Sequence, residues 1–161
     1  MDRARRTVTI AGPVTSRTIG ETEGAGRDLA DSLRAGDVVL LEGDLAAGKT
    51  TFVRGLVTGL GGDARLVSSP SFTLVNSYDC SSGNISVVHH VDLYRLAEDV
   101  NDLREIGLEE LLSDPAAIIA VEWPKDTLAT WIPADARIWR IAVTTEGDDS
   151  RLIEITKPSE F

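Results

Sequence analysis

Residues 38–57 read VVLLEGDLAAGKTTFVRGLV. Val38–Leu41 is a continuous apolar run, the pattern of a strand buried on both faces. From Lys49 to Leu60 the apolar residues Phe52, Val53, Leu56, Val57 and Leu60 recur at helical spacing, and Gly59, Gly61 and Gly62 supply a stop. Between strand and helix, Gly43, Gly48, Lys49 and Thr50 fill every fixed position of the pattern G-x-x-x-x-G-K-[ST]. Such a loop turns backbone N–H groups and a helix N-terminus toward a phosphate. Its glycines let the backbone come close, the lysine sets a point charge on the β- and γ-phosphates, and the hydroxyl ligates Mg²⁺. An incidental glycine-rich turn would not need a buried strand before it and a helix after it.

Working outward, Val8–Ile10 is a short β-like run ended by Gly12-Pro13, and residues 18–33 carry Ala25, Leu29, Ala30 and Leu33 at helical spacing. Gly36-Asp37 is a turn. Phe72–Tyr78 and Ile85–Val91 are β-rich runs joined by Cys80-Ser81-Ser82-Gly83-Asn84, which predicts an antiparallel pair. Glu98–Leu112 reads as two short helices broken at Gly107, and Ala116–Val121 as a second buried strand. Arg137–Val143 and Leu152–Thr156 flank the turn signal Glu146-Gly147-Asp148-Asp149. The expectation is a single α/β, P-loop NTPase-like domain over residues 1–161, with a mixed central sheet flanked by helices and a C-terminal β-hairpin.

At 161 residues the chain has the length of one domain, and 42% hydrophobic with 26% charged residues is ordinary for a soluble one. No apolar run approaches bilayer length, so no membrane partner is expected. The start MDRARRTVTI lacks a secretory apolar segment, which predicts a cytoplasmic protein with a flexible basic stretch over residues 1–6. Cys80 is the only cysteine, which excludes an internal disulfide and any zinc site built on several thiolates. A net charge of −10 argues against a broad grip on nucleic acid.

A phosphate loop needs a carboxylate at the end of a nearby strand to hold the metal shell or the attacking water. Asp92, after Val87-Val88-His89-His90-Val91, and Glu122, after Ala116–Val121, both qualify. His89 and His90 point to opposite faces of a strand, which argues for one buried, hydrogen-bonded histidine over a metal site. Trp131 and Trp139 read as packing residues, whereas Trp123 stands beside Glu122.

Beyond the loop, GDLAAGKTTF, SSPSFTLVNSY, HVDLYRL and VEWP follow one another across most of the chain and resemble the TsaE (YjeE) family. The resemblance implies a P-loop ATPase acting with two partners, TsaB-like and TsaD-like, to form threonylcarbamoyladenosine beside the anticodon of tRNAs reading codons that begin with A. The tRNA would be engaged only indirectly. Carried over by position, it implies ATP on Gly43, Asp44, Leu45, Ala46, Ala47, Gly48, Lys49, Thr50 and Thr51, with Arg151 as the family's late arginine near the nucleotide. It implies Mg²⁺ on Thr50 and Glu122, and catalytic roles for Lys49, Asp92 and Glu122. Ser69–Thr73 looks like the family's switch-like stretch, and Thr22, Gly26, Leu29 and Ala30 resemble the early helix near the nucleotide base.

Two positions depart from the family pattern: Ala46 stands where glycine is usual and Ser71 where threonine is usual. Serine keeps the hydroxyl. A Cβ at position 46 would be strained by about 1 kcal/mol or more if the loop needs a left-handed φ or a close phosphate approach there. Turnover is expected to be slow in isolation, Arg95 and Arg151 being the only arginines placed to act as a finger. A small-molecule kinase would add a lid with several arginines, and a GTPase would carry N-K-x-D and D-x-x-G; neither set is present. A nucleotide-gated binding module, in which ATP orders the switch and hydrolysis is incidental, remains open.

Overall fold

The computed structural model describes residues 12–96, 100–147 and 149–158. The basic stretch 1–6 and the run Val8–Ile10 lie outside the described residues. The strands are β1 (Val14–Ser16), β2 (Val38–Glu42), β3 (Val75–Ser82), β4 (Ile85–Asp92), β5 (Ala117–Glu122), β6 (Ile138–Glu146) and β7 (Ser150–Thr156). They form one sheet in the order β1-β7-β6-β2-β5-β4-β3. β6, β2, β5 and β4 run parallel, and β7, β1 and β3 add antiparallel edges. The mixed sheet and the C-terminal hairpin β6–β7 are thus both present.

The helices are α1 (Ile19–Ala30), α2 (Lys49–Gly59), α3 (Val100–Glu105) and α4 (Leu108–Leu112). Thr18 caps α1, its Oγ1 accepting from Glu21 N at 3.0 Å. Gly107, at φ 75°, separates α3 from α4 as its place in the sequence predicts. Alternate β-strand residues divide the core. Val39, Leu41, Ile118, Ala120, Ile141 and Val143 pack under α1 and α2, while Val38, Leu40, Ile119 and Val121 face Leu103 and Leu108 of α3 and α4. Two helical layers therefore sandwich the sheet, and no described helix is long and apolar enough to cross a membrane.

Several boundaries differ from the sequence reading, and the C-terminal hairpin runs longer than expected, over Ile138–Glu146 and Ser150–Thr156. β3 begins at Val75, because Leu74 sits at φ 67° and its N–H closes a turn onto Pro70 O at 2.7 Å; Phe72 is left 83% exposed. At its other end β3 continues through Cys80–Ser82, so the connection to β4 shrinks to Gly83-Asn84. β1, at Val14–Ser16, carries too few residues to show an alternation and is held by pairing with β7.

His89, on the α3/α4 face, bridges Ser77 Oγ (2.8 Å) and Asp114 Oδ2 (3.0 Å). Hydrogen bonds from Ala116 N and then His89 hold the Asp114 carboxyl below the usual carboxylate range. A depressed folded pKa means that the folded state binds fewer protons, so this contribution is present above the ordinary Asp value and lost as pH falls through the folded one. Asp114→Asn should lower the urea midpoint at neutral pH, and its deficit against the wild type should close as pH drops below about 4. A pH-independent deficit would rule out the charge as its source.

Candidate functional site

The parallel register puts the carboxyl ends of β2, β5 and β4 side by side, with Leu41 opposite Glu122 and Asp92 opposite Glu122. The loop 43–48 leaves β2 at this edge and enters α2 at Lys49. Two glycines of the loop are required by geometry. Gly43 has φ 154° and a Cβ there would lie 2.4 Å from Val143 O; Gly48, at φ 111°, turns the chain into α2. Ala46 has φ 61°, the left-handed region the sequence reading singled out. Ala46→Gly should change unfolding free energy by less than about 1 kcal/mol. Relief of roughly 1–2 kcal/mol of left-handed strain is offset by unfolded-chain entropy. Chemical denaturation measures it, and a loss greater than this would show that the Ala46 methyl packs usefully.

Lys49, only 5% exposed, folds back over the loop. Its Nζ donates to Gly43 O and to Asp44 O (3.1 Å for the latter) and lies 3.6 Å from the centroid of a Trp123 ring. Burial pushes the ammonium's pKa down, while the Glu122, Asp92 and Asp44 carboxylates pull it back up. Trp123 itself sits at φ 58°, a genuine outlier for a bulky residue, and packs against the Tyr94 ring with centroids 4.8 Å apart and planes tilted by 47°.

Thr50 Oγ1 donates to the Glu122 carboxylate, 3.0 and 3.2 Å from its two oxygens. Asp92, also buried, accepts from Tyr94 N (2.9 Å) and from Ser71 Oγ (3.4 Å), so the stretch Ser69–Thr73 touches the acid at the end of β4. Ser71 uses the hydroxyl it shares with threonine. Lys49, Thr50, Asp92 and Glu122 are thereby brought to one place. Leu45 and Ala46 are exposed at the loop tip, and Ala47 is buried beneath it.

Arg151 reaches the opposite flank, its Nε donating to Ala47 O at 2.9 Å. A cavity of about 320 Å³ opens there, with Ser16, Thr22, Gly48, Thr51 and Arg151 in its wall. Of the early-helix residues only Thr22 reaches this cavity; Leu29 and Ala30 belong to the core and Gly26 abuts Phe52 of α2. Arg95 lies over the exposed Phe72 ring at 4.2 Å, so both candidate finger arginines have protein partners. A larger cavity, about 490 Å³, lies elsewhere, between β6 and the segment 124–137.

Sequence reasoning missed one member of the site. His90 is fully buried, and its Nε2 is 2.5 Å from Glu122 Oε2. Strand parity was the available signal, since His90 and Asp92 share a face of β4, but the contact also requires β4 and β5 to be neighbours. Trp139 packs in the core with its Nε1 donating to Asp37 Oδ2 at 3.1 Å, and Trp131 packs against the opposite cluster. Among the described residues no group of three or more His, Cys, Asp or Glu side chains could hold a metal ion by itself, and Cys80 is a free thiol.

Comparison with known proteins identifies the family and agrees with the fold. A family model described as "Threonylcarbamoyl adenosine biosynthesis protein TsaE" matches residues 16–153. The chain is 35% identical over 136 residues to the tRNA threonylcarbamoyladenosine biosynthesis protein TsaE of Bacillus subtilis, covering 84% of this chain and 79% of that one. It is 40% identical over 132 residues to the protein of the same name from Nostoc, covering 80% and 75%. The crystal structure of YdiB from B. subtilis superposes with a TM-score of 0.67 at 29% identity, covering 91% of this chain and 85% of that one. A phosphate-loop α/β fold, matched over most of its length by these relatives, places the chain in the TsaE family of tRNA threonylcarbamoyladenosine biosynthesis proteins.

Proposed function

We propose that the chain, acting as one domain, binds Mg·ATP at the loop 43–51 and hydrolyses it in the cytoplasm, serving threonylcarbamoyl transfer to tRNA together with TsaB-like and TsaD-like partners. The observation that carries this reading is the partly buried Thr50–Glu122 contact beside Lys49. A hydroxyl from the first turn of α2 and a carboxylate from the end of β5 are hard oxygen donors, the donor set that suits Mg²⁺. Lys49 fits a phosphate, because its buried ammonium is met only by loop carbonyls and an aromatic face among the described residues.

In this mechanism the loop amides and Lys49 bind the phosphates, and Arg151 braces the loop from the far side through Ala47 O. Thr50 and Glu122 would hold Mg²⁺, whose charge would offset that developing on the phosphate oxygens. Asp92, tied to Ser71, is placed to orient water or support the metal shell. The side wall with Ser16 and Thr22 would take the nucleoside. Slow turnover alone fits Arg95 and Arg151 being engaged elsewhere, and a partner would then have to order the switch or supply the missing charge.

Phosphate release with Mg·ATP, measured alone and with both partners, tests the reading. Stimulation by the partners is expected, and Glu122→Gln should keep nucleotide binding while losing roughly 100-fold in turnover, the scale of removing one transition-state contact. No stimulation would sink the proposal. The Ser71–Asp92 contact favours a second reading, in which nucleotide orders the switch for docking and hydrolysis is incidental. Partner docking and tRNA modification that survive in a Glu122→Gln protein without turnover would select it.

A further inference from the structure

Behind the Thr50–Glu122 contact runs a chain of polar groups, buried at Glu122, His90 and Tyr78 and reaching the surface at Ser68. Glu122, 3% exposed, meets His90 Nε2 at 2.5 Å. On the other side of the ring, Nδ1 is 3.1 Å from the Tyr78 hydroxyl, and that hydroxyl is 3.1 Å from Ser68 O. Ser68 N donates to the same hydroxyl at 3.4 Å. Ser68 immediately precedes the stretch Ser69–Thr73, so three residues, Ser68, Tyr78 and His90, join the switch-like segment to the carboxylate beside the phosphate loop.

We propose that His90 and Tyr78 are positioning residues that set the orientation of Glu122 and couple it to the switch-like segment; this rests on Glu122 holding the metal. With a carboxylate at Glu122 and a neutral ring, His90 donates from Nε2 and its Nδ1 is the acceptor; this tautomer is part of the proposal. The single hydroxyl proton of Tyr78 then has two acceptors at equal distance, His90 Nδ1 and Ser68 O. When it turns to Nδ1 it polarises the ring and strengthens the Nε2–H bond that fixes Glu122. When Ser68 O takes it, that support is withdrawn. Neither state orphans the carbonyl, because Asn76 Nδ2 also donates to Ser68 O at 3.3 Å. A movement of the switch that carries Ser68 away would commit the hydroxyl to His90 and hold Glu122 more firmly.

Groups that orient a metal ligand typically change metal affinity by about 10- to 100-fold when removed. The test is titration of a fluorescent ATP analogue, with and without Mg²⁺, on the full chain. His90→Leu should raise the Mg²⁺ midpoint by about 10-fold or more while leaving affinity for metal-free nucleotide within roughly twofold. His90→Gln can keep a donor toward Glu122 and should restore most of that loss. Tyr78→Phe removes only a hydroxyl and should raise the midpoint by roughly threefold or more, short of the full ligand-support effect. An unshifted midpoint in His90→Leu, or no recovery in His90→Gln, overturns the positioning role, and an unshifted Tyr78→Phe overturns the coupling to Ser68. If His90→Leu fails to fold, the other two variants decide. Glu122→Gln serves as the reference: a midpoint unchanged in it would defeat the metal assignment itself, whereas a shift there without one in the His90 and Tyr78 variants defeats only this inference.

Discussion

Gly55→Ala is expected to destabilise the protein by about 3 kcal/mol or more, a loss of roughly 10 °C in melting temperature for a chain of this size. α1 and α2 touch backbone to backbone. A Cβ on Gly55 would stand 1.9 Å from Glu23 O and 2.7 Å from Glu23 Cα, and one on Gly26 would stand 2.2 Å from Phe52 O. Each glycine thus receives the other helix, and the obstacle is main chain that cannot rotate away. Ordinary overpacking costs about 1–3 kcal/mol because side chains yield, so a clash with two helix backbones belongs above that range. The helix propensity gained by alanine returns at most about 1 kcal/mol. Gly24→Ala is the control within α1: its nearest neighbour would be an Arg27 nitrogen at 3.7 Å, and it should stabilise by about 0.5–1 kcal/mol. Thermal and urea unfolding of the two variants should move in opposite directions. A Gly55→Ala protein melting with the wild type would mean that the helices do not approach this closely.

The seam matters to the site because α1 carries Thr22 in the wall of the side cavity while α2 begins with Lys49 and Thr50. Sequence reasoning placed both helices and read the loop between β2 and α2 residue by residue, since each rests on a local pattern. It also put Asp92 and Glu122 at strand ends, where period-2 alternation and the following turn are visible. What it lacked was adjacency. That β5 lies between β2 and β4 follows from sheet order, and only that order sets Glu122 beside both Thr50 and His90. The glycine contacts of the α1–α2 seam are illegible for the same reason, because a helical glycine carries no sign of what packs against it. At Phe72–Leu74 the apolar run suggested strand, and the local turn onto Pro70 prevailed. At Ala46 the family's usual glycine pointed to either a left-handed φ or a close phosphate approach, and the φ of 61° shows the first of these.

Lys49→Ala is expected to weaken ATP binding by 100-fold or more while leaving the fold intact. Two charge-assisted contacts to phosphate, each worth about 1.5–3 kcal/mol, amount to a loss of roughly two to four decades in affinity. Stability should respond far less. This ammonium is buried, its pKa is depressed by that burial, and no carboxylate lies within ion-pair range of it among the described residues. Its bonds to Gly43 O and Asp44 O and its seat on Trp123 are therefore offset by the desolvation of a charge. The lysine is held ready at a cost that a phosphate would relieve, so removing it takes away binding without taking away much folding energy. Lys49→Arg should not rescue, because a planar guanidinium cannot replace a point charge in a cradle lined by backbone carbonyls. Calorimetric titration with Mg·ATP and a melting curve on the same samples separate the two effects. If Lys49→Ala bound ATP within about fivefold of the wild type, under 1 kcal/mol, the loop would not be the phosphate site. If instead it lost its fold, the ammonium would have to be counted as part of the core.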